Sequence, residues 1–260
     1  MITLRRFKDT VIYTLVVFVG FLARRLPRSV SLWMGCGIGD LVYRVVKRRR
    51  QIALDNLRMA FKGEKEDGEL RRIARRSFQN MGKTMVEFLC SPKYGAERIM
   101  DLVRIDGMEN LRRAMGAGKG VVAVSAHFGN WEFIFHAMSI SVGRLAAIVQ
   151  PFKQARLDRL VNNYRTLYGG EVIQKGTAVK QTLARLRQGF CVAIMGDQNA
   201  GQSGVFVDFF GTPASTARGP VTFALRTGAT VVTLFNVRQE DDSHLLTISE
   251  PLKLELSGDM

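Results

Sequence analysis

Cysteine is scarce in this chain: Cys36, Cys90 and Cys191 stand singly among 260 residues. They have neither the paired spacing of a thiolate metal site nor the framework of a disulfide scaffold, which predicts a reducing compartment. Each reads as a small buried apolar residue. A Gly-x-Ser-x-Gly elbow is also missing, so no serine or cysteine stands out as an acyl-enzyme nucleophile. There is no internal repeat, low-complexity tract, long linker or recognisable nucleic-acid reading motif. Negative charge is the other shortage: 23 Asp and Glu face 38 Lys and Arg, a formal net charge of +15 with a pI near 10.3. Such a balance points to an anionic partner: nucleic acid, anionic lipid or an acidic carrier protein. The length suits one α/β domain with an appendage.

The stretch "TVIYTLVVFVGFLA", residues 10–23, carries no charge and is bounded by Arg5, Arg6 and Lys8 before and Arg24, Arg25 and Arg28 after. As a helix it reaches only about 21 Å, against roughly 30 Å for a hydrocarbon core. The small-x-small pattern of a cleaved leader is absent. The expectation is an uncleaved anchor, tilted with snorkelling arginines or lying at the interface beside "SLWMGCGIGDLVYRVV", with a buried core helix as the alternative. Residues 1–46 are therefore read as a membrane-associated helical region.

From residue 47 to 100 the chain reads as basic amphipathic helices. In "ELRRIARRSFQNMGKTMVEFL", Leu70, Ile73, Ser77/Phe78, Met81, Met85 and Phe88/Leu89 recur at helical spacing, with Arg71, Arg72, Arg75, Arg76 and Lys83 largely elsewhere. The cationic face is either solvated surface or a surface for phospholipid headgroups, where each basic side chain contributes about 1 kcal/mol. Residues 101–260 then alternate. Strands are expected at 102–105, 120–126, 145–150, 171–174, 190–196, 230–237 and 244–250, and helices at 108–116, 130–141, 154–168, 177–188 and 217–227. The fold class that follows is α/β, a mixed and largely parallel sheet flanked by helices, with ligands at the carboxyl ends of the strands.

His127 follows one of those strands and Asp197 another, so both fall on the same functional rim. In "SAHFGNWEFIF" the five-residue spacing of His127 and Glu132 turns through about 500° on one ideal helix, which puts them on different faces. With a strand before and an apolar helix after, and Gly129 at the break, His127 sits in the turn and Glu132 in the first helical turn, where their side chains can meet. A histidine oriented by a carboxylate is a general base for a hydroxyl. Without a protein nucleophile, direct attack by a substrate hydroxyl is the simpler chemistry.

"VSAHFGNWE" resembles the His-x4-Asp/Glu motif of glycerolipid-type acyltransferases. With "RRRQIALDNLRMAF", "ARRSFQNMGKTMVEF", "GMENLRRAMGAGKGVVAVSAHFGNWE" and "LRQGFCVAIMGDQNAGQSGVFVDFFGTPASTARGPVTFALRTGA", it resembles the lipid A biosynthesis acyltransferase (lauroyl/myristoyl) family. The resemblance implies acyl transfer from an acyl carrier protein thioester, with coenzyme A as another possible donor, to a hydroxyl of a phosphorylated lipid A precursor. It implies an anionic membrane partner, the cytoplasmic face of a Gram-negative inner membrane, no nucleic acid, no metal and no cofactor. His127 becomes the general base and Glu132 its partner. Arg165 matches an arginine expected beside substrate, for phosphate or a developing oxyanion, or else is a surface arginine. Asp197 matches an Asp-Gln element that positions substrate, or else closes a strand.

Asn130 is read as a helix cap and pocket contact beside Trp131, and Arg218 as a phosphate ligand at a helix amino terminus. The apolar run "GVFVDFFGTPA" offers Phe206, Phe209 and Phe210 for a hydrocarbon tunnel, a membrane-facing lip or ordinary core. His136 and His244 read as structural histidines. Members of the family usually continue into a tryptophan- and arginine-rich ending, whereas this sequence stops at "PLKLELSGDM". Acylation of another lipid, such as a lysophospholipid, a phosphatidylinositol mannoside or an ornithine lipid, remains an alternative. So do a catalytically inactive membrane binder and a metallohydrolase built on His127, Glu132 and Asp197.

Overall fold

The computed structural model describes residues 2–254, with side chains from residue 6 onward. The stretch 255–260, with the chain end that the family resemblance marks as short, lies outside the described residues, as does the side chain of Arg5. Two compact units divide the chain. The first comprises Met1–Gly95, Phe152–Tyr164 and Phe206–Ala214; the second comprises Ala96–Pro151, Arg165–Val205 and Ser215–Met260.

Four helices build most of the first unit: α1 (Ile2–Arg25), α2 (Arg28–Val45), α3 (Lys47–Phe61) and α4 (Asp67–Cys90). Small residues set the closest contact, between α2 and α4. A Cβ on Gly39 would lie 2.2 Å from the Phe78 carbonyl oxygen, and one on Gly82 would lie 2.0 Å from that of Gly35. Only glycine lets the two backbones meet at that distance. This contact also rotates α4 away from the expected stripe. Leu70 and Phe88 are buried as expected, but Ala74, Gly82 and Val86 join them, while Met81 and Met85 are exposed. The helical core is small, with Ala23, Val86 and Cys90 packed against Val19, Met34, Ile38 and Tyr94. Buried Glu87 pairs with Arg28 at 2.6 Å. Along α1, Phe7, Val11, Leu15, Phe18 and Leu22 are exposed. Among the described residues, no helix is long and apolar enough to cross a membrane.

The second unit is built on a seven-stranded sheet. Its strands are β1 (Val103–Asp106), β2 (Val121–Ser125), β3 (Leu145–Val149), β4 (Glu171–Gln174), β5 (Cys191–Met195), β8 (Thr230–Arg238) and β9 (His244–Ile248), in the order β1-β9-β8-β2-β5-β3-β4. Strands β8, β2, β5, β3 and β4 are mutually parallel, and β9 runs antiparallel to β8 while pairing parallel with β1. The mixed, largely parallel sheet expected from the alternating pattern is present. Its helices are α5 (Ala96–Asp101), α6 (Met108–Gly116), α7 (Trp131–Val142), α9 (Ala178–Arg187) and α10 (Gly219–Thr227); α8 (Ala155–Arg165) lies in the first unit as far as Tyr164.

One face of the sheet, with Val122, Ala146, Ile173, Val192, Ile194 and Val231, packs on Ala178 and Leu186 of α9 and Phe223 and Ala224 of α10. Alternate residues Val121, Ala123, Leu145 and Cys191 point to the opposite face and are equally buried. Burial on both faces explains the continuous apolar runs of β2 and β5; each fully buried Val, Leu or Ile contributes about 1.5–3 kcal/mol. Burial pushes the Cys191 thiol up to about 12. Cys90 is likewise buried and Cys36 half-buried, each with a free thiol.

After β2 the chain passes through α7 to β3 on one side, and after β5 it passes through α10 to β8 on the other. The direction of winding therefore reverses around the β2/β5 pair, which is the usual position of a site in an open α/β sheet. The remaining two described strands, β6 (Val205–Phe209) and β7 (Thr212–Thr216), form a separate two-stranded hairpin.

Candidate active site

The carboxyl ends of β2 and β5 lie side by side. Ser125 pairs in register with Met195, and the Gly196 amide donates to the Ser125 carbonyl at 2.9 Å. The Ser125 hydroxyl donates to the Leu234 carbonyl on β8 at 2.7 Å, which holds the end of β2 from its other side. His127 and Asp197 are each two residues beyond these strand ends, and they meet.

One carboxylate oxygen of Asp197 accepts from the His127 backbone amide at 2.9 Å, and the other lies 2.9 Å from His127 Nδ1. An ionised carboxylate only accepts, so Nδ1 carries the proton and the lone pair of the neutral ring lies on Nε2. Both side chains are about a third exposed, 32% for His127 and 35% for Asp197. Among the described residues Nε2 has no hydrogen-bond partner. Trp131 meets the imidazole edge-on, with ring centroids 5.0 Å apart.

The turn that presents His127 depends on one glycine. Gly129 has φ +61°, and a Cβ there would lie 2.2 Å from the Asn236 carbonyl oxygen of β8. Asn236 is buried, and its amide nitrogen lies 3.3 Å from Nδ1 of buried His244. His136 is fully buried with its ring 5.0 Å from that of Tyr168. Both of these histidines are core residues, as expected. The floor that Asn236 and His244 form beneath the turn was not read from the sequence, where a lone asparagine in a strand carries no signal.

The pairing expected between His127 and Glu132 is not the one the structure makes. Glu132 lies in the first turn of α7, is 6% exposed, and accepts from Arg165. Arg165 Nε donates to the two carboxylate oxygens at 3.2 and 2.9 Å, and its Nη2 donates to Oε1. The reason is geometric. The β2 loop turns the imidazole toward β5, whereas the α7 amino terminus turns the carboxylate toward the end of α8. The same finding alters the expectation for Arg165. Its guanidinium edge is committed to Glu132 and its side chain is only 15% exposed, so it is not an open phosphate ligand. It holds the start of α7, and through it the loop that carries His127.

Asn130 caps α7, its side-chain oxygen accepting from the Phe133 amide at 3.1 Å. It is fully buried, which corrects the expectation of direct substrate contact. Arg218 is exposed at the amino terminus of α10, and its Nε donates to the Ser203 carbonyl at 3.0 Å, pinning the loop after Asp197. Trp131 stands against His127, whereas Phe206, Phe209 and Phe210 are exposed on the hairpin by 71%, 65% and 59%. An enclosed acyl tunnel would bury such rings, so the reading of these three as tunnel lining or ordinary core is corrected. Among the described residues, no three His, Cys, Asp or Glu side chains are grouped to hold a metal ion; Glu132 is turned to Arg165, away from the His127–Asp197 pair.

An accessible imidazole fixed in one tautomer by an acidic residue can take a proton from an alcohol without a protein nucleophile. Comparison with known proteins bears on the reaction class. The chain is 25% identical over 221 residues to the lipid A biosynthesis palmitoleoyltransferase of Escherichia coli K12, covering 84% of this chain and 71% of that one. It is 26% identical over 223 residues to the lipid A biosynthesis lauroyltransferase of the same organism, covering 85% and 72%. A phosphatidylinositol mannoside acyltransferase of Mycobacterium tuberculosis is 30% identical over 132 residues, which are 49% of this chain and 42% of that one. The model of the bacterial lipid A biosynthesis acyltransferases matches residues 2–260, and the protein belongs to that family of enzymes.

Proposed function

We propose that this acyltransferase moves a fatty acyl chain from an acyl carrier protein thioester, or a coenzyme A thioester, to a hydroxyl of a phosphorylated lipid A precursor. The observation that carries the reading is the His127–Asp197 pair, with Nδ1 held at 2.9 Å in a side chain that is about a third exposed. Nε2 takes the proton of the acceptor hydroxyl as its oxygen attacks the thioester carbonyl. Asp197 stabilises the imidazolium that forms. The tetrahedral intermediate collapses with loss of thiolate, which recovers the proton from His127. One ester and one thiol are produced, and neither a metal nor a covalent acyl-enzyme is needed.

Glu132 and Arg165 act one step further out, as positioning residues for the α7 amino terminus. The work is placed at the cytoplasmic face of a Gram-negative inner membrane. Support comes from the exposed apolar stripe of α1 and from the charge distribution. The first unit carries 23 Lys and Arg against 10 Asp and Glu, a balance of +13 out of the chain's +15. The same charge suits an acidic carrier protein as donor. The similarity to the mycobacterial acyltransferase supports a second acceptor class, a glycosylated phosphatidylinositol, with the same catalytic pair.

The test is mass spectrometry of lipid A precursor incubated with acyl carrier protein bearing mixed chains, the wild type beside His127→Ala. A gain of one acyl group that disappears in the variant is expected. A gain that persists would remove His127 from the chemistry, and a gain seen only with phosphatidylinositol mannoside would reassign the acceptor.

A further inference from the structure

We propose that the β6–β7 hairpin is a wedge that carries Phe206, Phe209 and Phe210 into the headgroup and acyl-chain boundary of an anionic bilayer. This rests on the reading of the substrate as a membrane lipid, and it names how the enzyme meets the bilayer that holds it. Every residue of β6 is exposed, with Val205 at 42%, Phe206 at 71%, Val207 at 44% and Phe209 at 65%. Alternate residues of a strand face opposite ways, so β6 presents Val205, Val207 and Phe209 on one face and Phe206 beside Asp208 on the other. The neighbouring β7 is half-buried except at Pro213, so the exposed apolar surface is concentrated on β6 and the turn.

The turn gives a second, local reason. Phe210 has φ +55° and Gly211 φ +67°, the backbone of a mirror-image two-residue turn. The Asp208 carboxylate accepts from the Gly211 amide at 2.9 Å. Asn, Asp or Gly normally fills the first of those two positions, because a bulky side chain is disfavoured at positive φ. Here the position holds a phenylalanine, edge-on to Phe209 with ring centroids 4.7 Å apart and 59% exposed. An aromatic placed against the backbone preference and then left in water has no purpose in the fold itself. Its purpose is outside the chain.

Charge selects the occupant. The hairpin tip belongs to the strongly basic first unit. Lys62, at the end of α3, donates to the Gly211 carbonyl at 3.5 Å and brings an ammonium to the tip. An acidic carrier protein would meet the charge but not three exposed aromatic rings. An anionic bilayer meets both, as phosphates at the level of Lys62 and hydrocarbon beyond it.

The experiment uses the full chain with Trp33→Phe and Trp131→Phe, so that Phe209→Trp supplies the only tryptophan. Vesicles of phosphatidylethanolamine and phosphatidylglycerol are made with plain or brominated acyl chains. Insertion predicts fluorescence quenching by brominated chains only. In the otherwise native chain, Phe209→Ser with Phe210→Ser should lower vesicle partitioning by about tenfold or more, with the circular dichroism spectrum and melting point kept. Vesicle binding without quenching, and undiminished by the serine pair, would overturn the wedge while leaving membrane association to α1 and α2. Loss of carrier-protein binding instead of vesicle binding would assign the hairpin to a protein partner and overturn it too. No vesicle binding at all would remove the membrane reading, while acyl transfer to detergent-dispersed acceptor tests the catalytic reading separately.

Discussion

Breaking the Glu132–Arg165 pair should destabilise the second unit far more than its loss from a surface would. The glutamate side chain is 7% exposed and the arginine side chain 15%, and three N–H to oxygen contacts join them. Arg165→Met leaves an anion in a nearly dry site, for which the expected cost is about 3–5 kcal/mol. A pair on the surface would cost at most about 1 kcal/mol. The double variant Glu132→Gln with Arg165→Met removes both charges and should recover part of the loss, with a coupling of about 2 kcal/mol or more. Urea unfolding of the four proteins closes the cycle. The corresponding drop in melting temperature for Arg165→Met is about 6–20 °C, taking 2–4 °C per kcal/mol. Arg165→Lys should lie between, because lysine keeps the charge but lacks the fork that engages both oxygens. Single variants that each cost less than about 1 kcal/mol, or a double variant that costs the sum of the two, would refute the view of this pair as a buried clamp on α7.

Two further outcomes follow from the first unit. Gly82→Ala places a Cβ 2.0 Å from the Gly35 carbonyl oxygen, so α2 and α4 must separate; urea denaturation should show a loss of about 1–3 kcal/mol. Asp40 accepts from Arg75 at 2.7 and 2.5 Å and from Gln79 at 2.8 Å, and the Arg75 hydrogen bonds hold its carboxyl below the usual range. A carboxyl lowered in the folded state gives stability that is present above its unfolded pKa, about 3.9, and that fades as pH falls through the folded value. Asp40→Asn should therefore be less stable than wild type near neutrality by about 0.5–1 kcal/mol. The two should converge as pH drops below about 4. A gap that stays constant across that range would mean the group acts through packing.

The alternating half of the sequence was legible because its signals are local. Apolar β-branched runs such as "VVAVS" and turn glycines such as Gly107, Gly143 and Gly228 bracket elements that the structure places within a few residues of the expected bounds. The rim was legible as well, since His127 and Asp197 each follow a buried strand. Their pairing was not. They are 70 residues apart, and their contact depends on β5 lying next to β2, which strand order alone decides. The five-residue spacing drew Glu132 toward His127, and only the direction of α7 shows that its carboxylate faces Arg165. The stripe of α4 was misread by about one position, because periodicity ranks methionine above glycine while the Gly35, Gly39 and Gly82 contact ranks closeness above area. The hairpin was missed as a pair of strands. A phenylalanine-rich run looks like core, and exposure is a tertiary property.

The central claim is that Asp197, and not Glu132, directly supports His127 as the base. The most direct test is the single-turnover rate of acyl transfer by Asp197→Asn and Glu132→Gln with saturating donor, on protein shown to be folded. An amide at 197 can donate to Nδ1 and favour the wrong tautomer, so the rate should fall by about 10²–10⁴ with donor affinity unchanged. Glu132→Gln should lose stability first, and retain most of its rate per folded molecule. If Asp197→Asn keeps the wild-type rate while folded Glu132→Gln is as slow as His127→Ala, the account is wrong and Glu132 is the residue that supports the base.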